Sequence, residues 1–292
     1  MNARIAIPAA GHATRLPERT PHHSPIDSAV VLLHGLCSSA LEVRSFAQSL
    51  RRHGLQVVMP EVPGYSAACA ADIDGRTDFR KWIDSVQRIV EKTAARDVHL
   101  CGVSMGATLA LAVAAQCHRV KSLSLVSTTL FYDGWNVSRW RFLLPLAYHT
   151  PIGRFYAYRE TPPYGVKNLR VRGWIENQLA NRTLSDAGAA TIAIPSLRQA
   201  HRLIRHVKQV LPAISVPVLT IHAREDDVAS LSNPAYVARR IGSPLLSQVI
   251  VEDSYHMISL DNDRDKAAGL TSRFFLRHSA DDADLGGIVQ RN

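Results

Sequence analysis

A serine between two glycines, at positions 102–106, lies where a strand pattern changes into a helix pattern. Residues 98–102 form a short β-rich run, and residues 105–115 are rich in Ala and Leu, which predicts a strand followed directly by a helix. So tight a turn strains its central residue and leaves no room for Cβ atoms two residues to either side, a collision that Gly102 and Gly106 avoid. The hydroxyl of Ser104 is then exposed at the edge of the sheet, beside the unpaired N–H groups of the new helix. The sequence therefore predicts a nucleophile elbow.

Predicted strands and helices alternate on both sides of this turn. Strands are predicted at 29–34, 56–59, 98–102, 122–126, 218–223 and 247–251. Helices are predicted at 40–52, 78–95, 105–115 and 263–277. This alternation is typical of an α/β fold with a mostly parallel, doubly wound sheet. We expect the core at 29–127 and 216–278, an N-terminal leader at 1–28 and a loose tail at 279–292.

Length and composition restrict the class of protein. The 292 residues are 46% hydrophobic and 20% charged, which fits one large globular domain with an insertion. No apolar run is long enough for a membrane span or a secretory signal. The four cysteines form no C-x-x-C pair, and free thiols in a reducing, cytoplasmic setting are the expectation. The histidines show no metal-binding spacing, so neither a metal site nor a cofactor is predicted.

The alternation breaks between residues 128 and 215. This stretch holds roughly half of the aromatic residues and a strong helix pattern at 195–211, which predicts a helical insertion acting as a lid over the site. The alternative is that the aromatic residues only pack the insertion onto the core. Twelve Lys or Arg against four Asp or Glu place +8 of the net charge of +9 here. A basic lid suggests an anionic partner, namely an acyl carrier protein, CoA or an acidic membrane surface, unless these charges are merely solvated. No motif indicates nucleic-acid binding.

A serine hydroxyl needs a base to remove its proton and a carboxylate to orient that base. His256 follows the predicted strand at 247–251, and an acidic cluster at 225–227 follows the strand at 218–223. The carboxyl ends of parallel strands meet at one edge of the sheet, so these residues are expected to lie near Ser104. Asp226 is favoured as the acid and Asp227 as a cap or turn residue, with Asp227 and Glu225 as alternatives for the acid.

Acyl transfer also needs hydrogen-bond donors where the carbonyl oxygen becomes negative. The elbow supplies the backbone N–H of Met105. A second donor is the backbone N–H of Leu36, which follows His34 and Gly35 at the end of the first predicted strand. Both side chains are also candidates for lining an acyl pocket.

Together these segments resemble the α/β-hydrolase superfamily, and within it the bacterial carboxylesterase and monoacylglycerol-lipase-like branch. The resemblance lies in four motifs: LLHGL at 32–36, GVSMG at 102–106, AREDDV at 223–228 and SYHMISLD at 254–261. It covers roughly residues 29–276 and implies that Asp226 is the acid, His256 the base, and Leu36 with Met105 the oxyanion hole. The stretch 128–195 departs from the family pattern, so the resemblance does not extend to substrate choice.

Three hypotheses follow. The leading one is a serine hydrolase that forms an acyl-enzyme on Ser104 with short- or medium-chain esters or monoacylglycerols. A second retains the same residues but cleaves acyl thioesters of a carrier protein or CoA, bound through the basic lid. A third is a non-catalytic protein that binds a small apolar ligand.

Overall fold

The computed structural model describes residues 27–67, 77–138, 148, 157–159, 161–181, 184–185, 188–189 and 191–279. Nearly all of the predicted leader and tail, and Cys69, lie outside these residues. The strands are β1 Ser28–Leu33, β2 Gln56–Val58, β3 Asp97–Val103, β4 Val120–Val126, β5 Ala157–Arg159, β6 Leu184–Ser185, β7 Gly188–Ala189, β8 Thr191–Ala193, β9 Val218–Ala223 and β10 Leu246–Val251. The described helices are α1 Arg44–Arg52, α2 Phe79–Lys92, α3 Met105–Ala114, α4 Leu169–Asn181, α5 Ile194–Val210, α6 Ser232–Arg240 and α7 Arg264–Arg277.

Six strands form one parallel sheet in the order β10-β9-β4-β3-β1-β2. Every residue of β1 and β3 is buried, as expected for central strands that are covered on both faces. The prediction of an α/β-hydrolase fold with a doubly wound sheet is confirmed.

Helices cover the two faces of the sheet with separate apolar clusters. On one face α2, α3 and α5 contribute side chains such as Trp82, Leu111 and Val207. On the other face α1 and α7 contribute Phe46 and Phe275. Full burial of such a side chain contributes about 1.5–3 kcal/mol, and these clusters hold the strand ends in a fixed geometry.

One helix of the core begins later than predicted, and another was not predicted. The first helix begins at Arg44 and not at 40, because residues 39–43 form consecutive turns in which Glu42 N–H bonds the Ser39 carbonyl and Glu42 is fully buried. Helix α6 was not predicted. It is short, and its buried Asn233 accepts the backbone N–H groups of Leu130 and Phe131, so its position depends on contacts that are distant in sequence.

Between β4 and β9 the described residues include helices α4 and α5. The predicted helix at 195–211 is confirmed with nearly the same bounds. Two short antiparallel pairs, β5 with β8 and β6 with β7, were not predicted. We call residues 128–215 the inserted segment; its action as a lid stays a prediction. Within the described ranges, no helix combines the length and apolarity that a bilayer crossing needs.

Candidate active site

Ser104 lies at the turn between β3 and α3. Its φ of 56° and ψ of −121° are unusual for a residue with a side chain, and its N–H bonds the Val126 carbonyl at 2.9 Å. A Cβ on Gly102 would lie 2.3 Å from the backbone of Gly106, and one on Gly106 would lie 2.4 Å from the carbonyl oxygen of His34. Only glycine fits at either position, as the tight turn requires.

His256 lies between Ser104 and Asp226. Its Nε2 is 2.8 Å from Ser104 Oγ, and its Nδ1 is 2.9 Å from each carboxylate oxygen of Asp226. Burial disfavours a charged imidazole, but the neighbouring Asp226 carboxylate outweighs it, and the pKa of His256 is raised above its usual value. The structure thus brings together the three side chains that the sequence singled out.

Asp226 is held by its own loop. One oxygen accepts the backbone N–H groups of Val228 and Ala229 at 2.9 and 2.7 Å, and the other lies 3.3 Å from the His222 ring. Burial would raise the pKa of this carboxyl, yet contact with His256 lowers it below its usual value. The carboxylate is therefore ionised where it meets the imidazole.

The two neighbouring acids have other contacts. Asp227 is buried and accepts the backbone N–H of His256 at 3.2 Å, so it supports the histidine loop, and burial raises its pKa. Glu225 is exposed, and its carboxylate bonds Lys167 Nζ at 2.8 Å. Neither carboxylate contacts the His256 ring nitrogens, which favours Asp226 as the partner of the imidazole.

The loop after β1 brings Leu36 to the same place. Leu36 and Met105 both line the cavity at Ser104. Cys37 adopts a left-handed φ of 54° and donates its N–H to Tyr65, whose hydroxyl bonds the carbonyl of His34 at 2.7 Å. The His34 ring is buried and lies 2.8 Å from the Ser66 hydroxyl, so both loop ends are fixed by buried hydrogen bonds.

A cavity of about 530 Å³ opens at Ser104. Core residues and the inserted segment line it together, and most of its wall is apolar, as is usual for small-molecule sites. Its apolar lining includes Leu36, Met105, Val137, Tyr158, Ile175, Leu179, Ile192, Leu197, Val228 and Met257.

The inserted segment bonds both sides of the site. The Ala189 N–H donates to the Cys37 carbonyl at 3.0 Å, beside Leu36. At the other side Met257 N–H donates to the Gly165 carbonyl at 2.7 Å. Asp261 accepts the backbone N–H groups of Lys167, Asn168 and Tyr255 at 2.7–2.9 Å, which joins the start of α4 to the histidine loop.

Several positive charges of the segment are used inside the fold. Lys208 Nζ lies 3.6 Å from the Phe131 ring centre, Arg202 pairs with Asp78 at 2.9 Å, and Arg172 donates to the Val166 carbonyl. Arg170, Arg198 and Arg205 are exposed. Only part of the surplus positive charge of the inserted segment is therefore exposed to solvent.

Three supporting residues escaped the sequence reasoning: Glu42, Asp261 and His222. Glu42 and Asp261 are buried carboxyl groups that accept backbone N–H groups. Asp261 ends the motif at 254–261, but no role was predicted for it, and the only signal for Glu42 was an acidic residue near an apolar run. His222 lies within a strand and looked like a core residue. Among the described residues, no group of three or more His, Cys, Asp or Glu side chains has the arrangement of a metal site.

Comparison with known proteins gives a consistent result. The Hydrolase_4 family model, described as serine aminopeptidase S33, matches residues 24–263. A thermostable monoacylglycerol lipase of Bacillus sp. (strain H-257) is 26% identical over 252 residues, which is 86% of this chain and 91% of the relative.

Solved structures agree in fold. A monoacylglycerol lipase of Paleococcus ferrophilus superposes with a TM-score of 0.71 at 16% identity, covering 87% of this chain and 96% of that one. A structure from a study of the metagenome-derived lipolytic enzymes LipS and LipT has the same TM-score at 20% identity, covering 87% and 95%.

Proposed function

The chain belongs to the serine aminopeptidase S33 (Hydrolase_4) family of α/β-hydrolases, and we propose that it cleaves carboxylic esters through an acyl-enzyme on Ser104. It is a carboxylesterase- or lipase-like hydrolase related to a monoacylglycerol lipase. The substrates that we propose are short- or medium-chain esters, monoacylglycerols among them.

The observation that carries the proposal is the line of contacts from Ser104 through His256 to Asp226 at 2.8 and 2.9 Å. His256 Nε2 accepts the Ser104 proton as Oγ attacks the ester carbonyl. Asp226 accepts the Nδ1–H bond, fixes the tautomer and stabilises the imidazolium that forms. His256 then protonates the leaving alkoxide. A water molecule gives its proton to His256, attacks the acyl-enzyme and releases the acid and free Ser104. Leu36 and Met105 are proposed to supply the N–H groups that stabilise the oxyanion.

The cavity favours esters over peptides. An aminopeptidase has to bind the ammonium group of its substrate, for which an accessible carboxylate is suited. Glu42 and Asp227 are the acids on the described wall, and both are buried and already accept backbone N–H groups. An acyl chain, in contrast, finds apolar side chains along most of the wall.

A labelling experiment tests the nucleophile. A fluorophosphonate probe should modify Ser104, as located by mass spectrometry, and Ser104→Ala should lose both labelling and turnover of p-nitrophenyl butyrate. Ser85→Ala, in helix α2, serves as the control and should retain both. An active Ser104→Ala variant would refute the proposal, and wild-type protein that neither reacts with the probe nor turns over esters would restore the ligand-binding hypothesis.

A thioesterase is the second candidate, because Arg170, Arg198 and Arg205 expose positive charge on α4 and α5. An acyl carrier protein or CoA thioester steered by these charges should react more slowly as salt rises, whereas a neutral ester should not. Competition between an octanoyl oxygen ester and the matched octanoyl thioester, at low and at high salt, distinguishes the esterase from the thioesterase. Lys208, Arg202 and Arg172 already contact other groups of the protein, so their charges are less available to a carrier. This favours the ester.

We propose a cytoplasmic enzyme, supported by the buried, reduced thiols of Cys101 and Cys117. We also propose that it needs no cofactor. An acidic membrane surface remains a proposed partner, to be tested by sedimentation with vesicles containing phosphatidylglycerol against neutral vesicles.

A further inference from the structure

Glu42 is a fully buried carboxyl group beside the proposed oxyanion hole. Its Oε2 accepts the N–H of Gly35 at 2.9 Å, one residue before Leu36. A Cβ on Gly35 would lie 3.1 Å from the same oxygen, so the carboxyl packs directly against that glycine. Glu42 also borders the cavity that Leu36 and Ser104 line. The side chain thus reaches the backbone of the oxyanion loop from below the cavity wall.

The surroundings of Glu42 disfavour a negative charge. Its second oxygen, Oε1, has no hydrogen-bond partner among the described residues, and the described ion pairs do not include it. The titratable groups that face it are His34, Tyr65 and His256. Burial raises the pKa of Glu42 above its usual value, an effect that His34, the Ser38 hydroxyl, the Gly35 N–H and His256 together oppose only in part. Burying an isolated carboxylate costs far more free energy than burying a neutral carboxylic acid.

We propose that Glu42 is a positioning residue which, as an uncharged carboxylic acid, holds the Gly35 amide and thereby directs the Leu36 N–H at the developing oxyanion. The inference rests on the proposed ester hydrolysis at Ser104. The absence of charge matters because an ionised carboxylate beside the oxyanion loop would repel the oxyanion that the Leu36 amide has to stabilise. A neutral acid keeps the hydrogen bond to Gly35 without that repulsion.

Kinetics of three variants test the positioning role. Glu42→Ala removes the acceptor of the Gly35 N–H, and kcat with p-nitrophenyl butyrate should fall about 10–100-fold while KM changes little. Glu42→Gln keeps an acceptor oxygen and should stay close to wild type. Val43→Ala is the matched control. Val43 is adjacent in sequence and packs in the apolar cluster of Phe46 and Phe275, so this variant should lower Tm without lowering kcat.

A transition-state analogue separates positioning from a merely structural role. Butylboronic acid forms a tetrahedral adduct on Ser104 whose oxygen occupies the oxyanion site, so its inhibition constant should rise in Glu42→Ala by the same factor as kcat falls. The affinity for the non-covalent product butyrate should not change. If the alanine variant does not fold, Glu42→Leu occupies similar space without accepting the Gly35 N–H and is expected to give the same readings.

The protonation state has its own test. Between the pKa of Glu42 in the unfolded chain and the raised pKa in the folded one, the folded state holds an extra proton, so wild-type stability falls as pH rises through this window. Glu42→Gln lacks this loss, so the Tm of Glu42→Gln minus the Tm of the wild type should increase as the pH rises above 4.5. A Tm difference that does not vary with pH overturns the uncharged acid.

The failures can be told apart. If wild-type protein does not react with a fluorophosphonate at Ser104, the proposed function fails, and the Tm series on Glu42→Gln still reports the charge state. If the wild type is active and the acceptor-free variants retain kcat and boronate affinity, the positioning role of Glu42 is refuted while ester hydrolysis stands. Equal losses in Glu42→Gln and Glu42→Ala also refute it.

Discussion

Replacing Gly106 with alanine should damage both halves of the site at once. The added Cβ would lie 2.4 Å from the His34 carbonyl oxygen and 2.5 Å from that of Leu33, about 1 Å inside the ordinary contact distance of 3.4 Å. These atoms belong to the backbone, so α3 has to move away from the end of β1. Overpacking of this kind costs about 1–3 kcal/mol, and the rigid neighbours place Gly106→Ala near or above 3 kcal/mol.

The same displacement separates Ser104 from the loop that carries Leu36. A misplacement of about 1 Å can cost about 100-fold in rate, so kcat/KM should fall by that factor in whatever fraction remains folded. Urea unfolding gives the free energy and p-nitrophenyl butyrate gives the rate. Gly173→Ala is the matched control: its Cβ meets nothing within 4 Å inside α4, and alanine should stabilise that helix by about 0.5–1 kcal/mol. A Gly106→Ala variant with wild-type stability and rate would refute the steric argument.

Two further predictions concern the acid and the base. Asp226→Asn should lower kcat by about 10⁴-fold, because an amide no longer stabilises the imidazolium. Asp227→Asn keeps an oxygen that accepts the His256 N–H and should retain most activity. The reverse ranking of the two variants would identify Asp227 as the acid. Only neutral His256 can accept the serine proton. Because the pKa of His256 is raised, kcat/KM for a neutral ester should fall on the acid side with a midpoint above pH 6.5. A midpoint below pH 6.5 would contradict the inference that the Asp226 carboxylate outweighs burial in setting this pKa.

The parts of the site that follow strand ends could be predicted from the sequence. Strands β3, β9 and β10 are short runs rich in Val, Leu and Ile, and in a parallel sheet their carboxyl ends meet at one edge. The proximity of Ser104, His256 and the acidic cluster at 225–227 could therefore be predicted from the pattern. The two glycines at 102 and 106 indicated the turn for the same reason: a tight strand-to-helix turn excludes side chains there.

The supporting contacts could not be predicted in this way. Glu42 reaches Gly35 only because residues 39–43 form turns in place of a helix, and a helix pattern begins near residue 40. The partner of Asp227 depends on the path of a short loop. Strands β6 and β7 are two residues long each, which is too short to show any period. Such features arise from tertiary contacts, and the cavity wall that sets substrate choice is built largely from them.

The inserted segment cannot be treated as a cover that is separate from the reacting groups. Through Ala189 it bonds the carbonyl of Cys37, next to the Leu36 amide, and through Gly165 it bonds the N–H of Met257, next to His256. Each buried backbone hydrogen bond contributes about 0.5–1.5 kcal/mol, and breaking one without a replacement leaves a costly unpaired group beside the site. A movement of the whole segment away from the core would break both and would disturb the oxyanion loop and the histidine loop together. Substrate entry that preserves the site therefore has to leave these two contacts intact.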